Sequence, residues 1–477
     1  MSRIMGRDDD YDNNNGEDAR HLKGLQGGEG ISEERADNGD SSKADDKSSS
    51  VRRIKVDYLA RVEGEGAMYI KIVDGKVSDV KLKIYEPPRF FEAFLRGRRF
   101  YEAPDITARI CGICPIAYQM SSSYAMEYAA KVKVGGMIRL LRRLIYCGEW
   151  IESHALHLFM LHLPDFLGYD SAIAMAKEHG QIVKQGLKVK KVGNRIISLI
   201  AGREVHPINL RVGGFYRAVR EDELYPLIDE LERTRDAMVQ TMAFLSRLNF
   251  PEFEREYEFI SLRHEDEYPI IEGRLVSNKG LNISIDEFED HVVEEQVEYS
   301  NALHARLKGR GAYMVGPMAR YNNNYDRLHP MVKSIARESG LEHPCTNPFK
   351  SILVRGVEIL YAIVEALALI KAYKMPDEPF VNVDPRDAVG YGCTEAPRGI
   401  LYHRYSVDAD GIIVDAKIVP PTSQNQKVIE EDLYHFASKY AQLQDDELVW
   451  RCEQTIRNYD PCISCATHFL KAKIERL

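Results

Sequence analysis

Arg109-Ile110-Cys111-Gly112-Ile113-Cys114-Pro115 and, close to the other end of the chain, Asp460-Pro461-Cys462-Ile463-Ser464-Cys465-Ala466-Thr467-His468 are the two stretches that decide the fold. Each holds a Cys-x-x-Cys turn that folds two sulfurs to one side, and Pro115 and Pro461 stiffen the turns by fixing φ. Two such pairs make a four-thiolate pocket only if the chain ends meet, and four thiolates call for a soft metal. A structural zinc site is the bland reading of paired Cys-x-x-Cys motifs. Zinc modules usually close a short loop, however, and nearly the whole chain separates these pairs. A thioredoxin-like redox pair fits less well, because no βαβ pattern surrounds either motif.

Composition narrows the class. A chain of 477 residues has room for one very large domain or two to three ordinary ones. Its 44% hydrophobic and 29% charged residues are soluble globular proportions. The net charge of -9 leaves no basic footprint, so nucleic acid is not an expected partner. Eight Cys are too sparse for a disulfide scaffold, and no secretory n-region and h-region open the chain. The longest apolar stretch, 352–373, carries Arg355, Glu358, Glu365 and Lys371, so it reads as a buried core helix rather than a membrane span. The expectation is a cytoplasmic protein without membrane insertion, its thiols kept for metal.

Residues 1–50, with Asp8-Asp9-Asp10, Asn13-Asn14-Asn15 and Ser48-Ser49-Ser50, cannot bury enough surface to fold and read as a disordered acidic tail. Order begins at Val51. Strands are expected over 67–73 and 77–85 about an Asp74-Gly75 hairpin turn. Met137, Leu140, Leu141, Leu144, Ile145, Gly148 and Ile151 are spaced as one apolar helix face. Further helices are expected over 170–199 and 221–248, a strand-bearing stretch over 257–285 with a turn at Asn278-Lys279-Gly280, and a loop-rich segment over 309–324. A second hairpin joins 400–407 to 412–419 about Asp410-Gly411, and two short helices lead to Asp460. The fold class is α+β, mainly helical: a large central helix bundle with small antiparallel sheets, in one continuous domain over 51–468.

The motif flanks resemble the large, catalytic subunit of the nickel–iron hydrogenases. The likeness runs from Lys55 to His468, with its landmarks in order: Arg61-Val62-Glu63-Gly64-Glu65-Gly66, Arg89-Phe90-Phe91-Glu92, the first Cys-x-x-Cys, Glu395-Ala396-Pro397-Arg398-Gly399, Pro421-Thr422-Ser423-Gln424-Asn425, and Asp460-Pro461-Cys462. The resemblance implies that Cys111 and Cys462 are terminal nickel ligands, and that Cys114 and Cys465 bridge nickel to an iron carrying the small diatomic ligands CO and CN. It implies reversible heterolytic splitting of H2, the proton passing to a terminal thiolate, Cys462, and on to Glu63, with Arg398 poised over the open metal position. It also implies a magnesium site made of Glu92, His468 and the main-chain carbonyl of Ile418. For an isolated Glu63 the plain alternative is a carboxylate capping backbone N–H groups. For Arg398 it is an ion pair with Glu395.

Some positions depart from the family pattern. Ser153 stands where the best-known members carry an acid, and Tyr118 where a His is common, so hydrogen bonds to the bridging sulfur should differ. His154, His157 and His162 are read as core histidines, and Cys147, Cys345, Cys393 and Cys452 as buried structural thiols. No further cluster motif is present, so the resemblance implies an iron–sulfur small subunit as electron outlet. The Cys-Gly-Ile-Cys-Pro-Ile-Ala-Tyr-Gln-Met version of the first motif is similar to cytoplasmic multisubunit enzymes linked to NAD(P) or sulfur. Further iron–sulfur subunits and any flavin- and NAD(P)-binding sites would then lie on partner chains, since no G-x-G-x-x-G follows a strand here. In this family a maturation endopeptidase removes a tail after the His at the position of His468, which marks 469–477 as an extension to be cleaved. The rival reading is a metal-free or zinc-bearing scaffold subunit of a related respiratory complex, against which the four cysteines and His468 argue.

Overall fold

Asp74-Gly75 joins strand β2 (Gly66–Val73) to β3 (Lys76–Ile84) as the hairpin signal requires, and β1 (Val51–Val56) pairs with the other edge of β2. The computed structural model describes residues 50–468; the acidic-tail segment up to residue 49 and the extension 469–477 lie outside the described residues. Met68, Ile70 and Ile72 alternate inward from β2, which is how a period of two buries one face of this sheet. Its polar face stays toward solvent.

The principal helices, in chain order, are α1 (Pro115–Ala130), α2 (Gly136–Ala155), α3 (Ala172–Ala201), α4 (Pro226–Leu245), α5 (Pro317–Asn324), α6 (Ser351–Ala372), α7 (Pro421–Lys439), α8 (Asp445–Arg457) and the single turn α9 (Ile463–Ala466). The apolar face expected on α2 is the face that packs. Leu141, Leu144, Ile145 and Ile151 are fully buried against α3 and α6, and α6 packs in turn on α4. This is the central bundle. Its tightest contact is α2 on α3, where Gly148 and Gly193 let the two backbones touch. A Cβ on Gly193 would sit 2.6 Å from both Glu152 N and Gly148 O.

Three antiparallel strands, β4 (Ala388–Ala396), β5 (Gly399–Val407) and β6 (Ile413–Val419), form a sheet against α1. Among the described residues there are three three-stranded and two two-stranded sheets, every pairing antiparallel. The 257–285 stretch is strand-bearing as expected, with its turn at Ser277–Leu281.

Three local readings need correction. Helix α1 was not anticipated: it buries Gln119, Ser121, Ser122, Ser123 and Glu127 along with its apolar residues, so it has no polar face and shows no 3.6-residue period. The 309–324 segment ends in α5 rather than in loop. Its Asn run takes part in the helix because Asn322 and Asn324 side chains donate to the carbonyls of Met318 and Arg320 one turn back. The helices leading to Asp460 are longer than expected, 19 residues in α7, because Thr422, Ser423, Gln424, Asn425 and Gln426 open α7 fully buried. In sequence those residues look like a solvated loop.

Gly193→Ala should force α2 and α3 apart. Overpacking of this kind costs about 1–3 kcal/mol, and denaturant unfolding of the variant should show a loss in that range with an unchanged m-value.

Candidate metal centre

The sulfurs of both motifs converge. Cys114 caps the N-terminus of α1, so the first Cys-x-x-Cys turn runs into a helix, whereas Cys462 caps α9, whose single turn contains Cys465. The Sγ atoms of Cys111, Cys114 and Cys465 lie within 4.8 Å of one another. Cys462 completes the cluster, 3.8 Å from Cys111 and 2.7 Å from Cys465, while Cys114 lies 2.9 Å from Cys111. All four are buried and none is in a disulfide. The other four cysteines are buried and free as well, as expected.

Negative charge settles on one sulfur first. Burial pushes the Cys111 thiol up, but hydrogen bonds from Cys114, Cys462 and Cys465 and the charge of Arg398 outweigh it and hold Cys111 well below its ordinary value. The backbone N–H groups of Ile113 and Cys114 also donate to its sulfur, at 3.3 and 3.1 Å. Hydrogen bonding with Cys111 is the first cause that pushes Cys114 and Cys462 well above their ordinary value, and burial raises Cys465. A dry cluster of thiols that polarise one another suits soft metal ions such as nickel and iron.

Two residues hold the loops in place, Glu63 the second loop and Arg89 both. Glu63 pairs through its backbone with the second loop, its carbonyl accepting from Ile463 N at 2.9 Å. Its carboxylate accepts from the Cys462 thiol at 3.1 Å and Ser464 N at 3.0 Å through Oε2, and from Ser464 Oγ at 2.5 Å through Oε1. Glu63 therefore caps backbone N–H and touches a cluster sulfur at once. Gly64, at φ +87°, allows this approach, since a Cβ there would fall 2.7 Å from Ile463 Cβ. Arg89 stitches the two motifs from the other side. Its guanidinium donates to the carbonyls of Ile110 (2.7 Å), Arg109 (3.0 Å) and Ser464 (3.1 Å), which belong to both loops.

Arg398, at the β4–β5 turn, is buried against the cluster, but not as an ion pair with Glu395. Its Nε donates to Asp460 O at 2.8 Å, Nη2 to the Asp460 carboxylate at 3.2 Å and Nη1 to Ser153 Oγ at 3.4 Å. Glu395 is instead held by Arg320 at 2.9 Å and by Leu262 N at 2.7 Å. Burial opposes the Arg398 charge, yet Asp460 and the thiolates raise its pKa well above the usual value. Arg320 also forks onto Glu358 at 2.8 and 2.7 Å, and His154 Nε2 meets the same carboxylate at 2.9 Å. His157 and His162 face Arg457 O and Asn458 Oδ1 at 2.8 and 3.0 Å, and burial keeps both rings neutral. His154, His157 and His162 are all buried, as the sequence reading expects of core histidines.

Glu92 and His468 do meet, with Nε2 and Oε2 3.1 Å apart, on the wall of a cavity of about 360 Å³ that also reaches Cys465. Ile418 contributes its backbone N–H, donated to Glu92 Oε1 at 2.8 Å. One contact of this site has no counterpart in the sequence reading: the Glu294 side chain is 7% exposed, Lys417 Nζ lies 3.5 Å from it, and burial raises its pKa while Lys417 and His468 draw it down. In sequence Glu294 sits in a Val-Val-Glu-Glu run that reads as an ordinary strand face, so no signal pointed to it. Asp460 belongs to the second motif, yet its service to Arg398 is legible only in space.

The nickel-dependent hydrogenase family matches residues 89–186 and 277–468. Sulfhydrogenase 1 subunit alpha of Pyrococcus furiosus is 34% identical over 422 residues, covering 88% of this chain and 98% of that protein. Sulfhydrogenase 2 subunit alpha of the same organism is 34% identical over 429 residues, covering 88% and 99%. Among solved structures, an NAD+-reducing NiFe-hydrogenase in the H2-reduced state superposes with a TM-score of 0.81 at 28% identity, covering 87% of this chain and 99% of that one.

Arg89→Ala should loosen both loops together. Losing three hydrogen bonds from a charged, half-buried donor predicts roughly 2–4 kcal/mol of lost stability, measured by denaturant unfolding. Faster labelling of the motif thiols should accompany it.

Proposed function

The chain belongs to the nickel-dependent hydrogenase family as its catalytic subunit, and we propose that Cys111 and Cys462 bind the nickel terminally while Cys114 and Cys465 bridge it to iron. The observation that carries this assignment is the single buried cluster made from sulfurs 351 positions apart in the chain. When bound, nickel and iron, the iron with CO and CN ligands, would supply the redox chemistry for splitting H2.

The remaining work falls to side chains. The Cys462 sulfur takes the proton, and its hydrogen bond to Glu63 Oε2 provides the next acceptor 3.1 Å away. Ser464 N and Oγ hold that carboxylate in place, so the transfer needs no rearrangement. Arg398 faces the thiolates as a fixed cation. Its orientation comes from Asp460 and Ser153, which leaves the guanidinium little freedom to turn away.

Glu92 and His468, with the carbonyl of Ile418, form the proposed magnesium site. Glu92 is already oriented by the Ile418 N–H, and the adjoining cavity has room for water ligands. Electrons leave through an iron–sulfur small subunit toward NAD(P) or sulfur and polysulfide, with flavin-, NAD(P)- and further cluster-binding subunits beyond it. The names of the relatives, sulfhydrogenase and NAD+-reducing hydrogenase, support that assignment. We place the complex in the cytoplasm. Among the described residues no helix is long and apolar enough to cross a membrane.

Metal analysis of the purified complex should find nickel and iron together; zinc alone, or no metal, would overturn the assignment. Cys465→Ala should abolish hydrogen evolution from reduced viologen, and turnover within tenfold of wild type would contradict a bridging role. A maturation endopeptidase is proposed to cut after His468. Mass spectrometry of active enzyme should therefore show a C-terminus at His468, and active protein ending at Leu477 would refute this.

A further inference from the structure

Away from the sulfurs, a cavity of about 380 Å³ lies where helix α7 packs on β3 and on the hairpin made by Val292–Gln296 and Leu303–Leu307. Its wall brings together Asp79 of β3, His304 of the hairpin and Glu430 of α7. His304 is 5% exposed, and among the described residues neither of its ring nitrogens has a hydrogen-bond partner. Its Nδ1 faces Glu430 Oε2 at 3.8 Å, too far for a hydrogen bond. No ion pair joins them either, because burial and the charge of Lys427 hold the imidazole neutral, down to about 4. Two groups that ordinarily satisfy each other thus stand side by side unjoined.

Glu430 cannot swing away. Leu82 N donates to its Oε1 at 2.8 Å, and the Tyr299 hydroxyl lies 2.9 and 3.0 Å from its two oxygens. The other carboxylates of the wall each have a cation of their own: Asp79 has Lys81, Glu295 has Arg306 and Glu431 has Arg255. Among the described ion pairs Glu430 has no Lys or Arg, and burial pushes it up to about 7. A fixed carboxylate without a cation therefore meets a neutral imidazole without a hydrogen bond.

Imidazole and carboxylate together are a donor set for divalent ions of the zinc class, and the neutral ring is the form that ligates. Ligand atoms about 2.1 Å from one such ion stand about 3.4 Å apart at a tetrahedral angle, so the observed spacing needs only a slight closure. A calcium ion would ask for six or more oxygens and has little use for the ring. Asp79 and Glu295 add negative potential to the cavity, which has room for water, and Lys427 is the opposing charge on the same wall.

We propose that His304 Nδ1 and Glu430 Oε2 are the protein ligands of a further divalent ion of the zinc class, with water completing its shell. The ion ties the hairpin to α7, the helix whose Thr422 Oγ1 accepts from Cys462 N at 3.0 Å. The site shares no residue with the four-cysteine cluster and stands whether or not that cluster holds nickel and iron.

The test is to wash the purified complex with a chelator, dialyse it against micromolar Zn2+ and count the bound metals, for wild type, His304→Gln, Glu430→Gln and Lys427→Ala. Wild type should hold one more zinc per catalytic chain than His304→Gln or Glu430→Gln, with nickel and iron equal in all. Lys427→Ala, which removes the opposing charge, should hold that zinc several-fold more tightly. Equal zinc in wild type and both ligand variants overturns the proposal: such zinc is bound by exposed carboxylates only. If His304→Gln does not assemble, the other two variants decide. Zinc lost in Glu430→Gln and tightened in Lys427→Ala supports the site, and zinc unchanged in Glu430→Gln refutes it.

Discussion

The two Cys-x-x-Cys loops must be held in register although 351 positions separate Cys111 from Cys462, and the rest of the structure depends on that constraint. Closing a loop of this length costs only about 5 kcal/mol of chain entropy, because the cost grows with the logarithm of length. Burial of the intervening helices offsets that cost. What burial cannot supply is precision, since apolar packing is non-directional. Directional bonds from Glu63 and Arg89 do that. Glu63 joins the first ordered hairpin region to the second loop, and Arg89 bonds carbonyls of both loops with one rigid guanidinium.

Around those loops the protein buries an unusual amount of charge. Arg320, Arg355, Arg398 and Arg457 are at most 3% exposed, as are Glu358, Glu395 and Asp460. Burying an ion is tolerable only with a partner and saturated hydrogen bonds. Three of the four arginines follow this: Arg320 bridges Glu358 and Glu395, Arg457 forks onto Asp165, and Arg398 takes both the carbonyl and the carboxylate of Asp460, whereas Arg355 donates to the carbonyls of Ser351 and Asn458 and burial lowers its pKa to about 10. Replacing them with apolar side chains would offer as much stability. What the ionic scheme adds is fixed orientation at the centre, which a hydrophobic core would leave to rotamer freedom.

Periodic features were the most legible part of the fold. The Asp74-Gly75 and Asp410-Gly411 hairpins, the apolar face of α2 and the core helix α6 all follow local patterns that survive in the structure. Patterns failed where burial is complete on every side. Helix α1 and the first turns of α7 bury Ser, Thr, Gln and Asn beside apolar residues, and several of these polar groups find tertiary partners: Ser121 with Thr394, Gln119 with Pro207 O, Gln424 with Ile400 O. A helix without a solvent face has no amphipathic signature.

By itself the sequence determined which atoms are available for the chemistry: eight thiols, four of them in paired turns, a carboxylate in Arg-Val-Glu-Gly, and a guanidinium beside Gly399. Residue identity and local spacing are covalent facts, so a single chain read end to end reveals them. Only the tertiary structure decided who meets whom. It gave Arg398 to Asp460 instead of Glu395, aimed the N–H of Ile418 at Glu92, and set Tyr118 beside His403. Hydrogen bonds act over about 3 Å of space, and partners drawn from strands, helices and loops hundreds of positions apart are brought within that range only by the packed core.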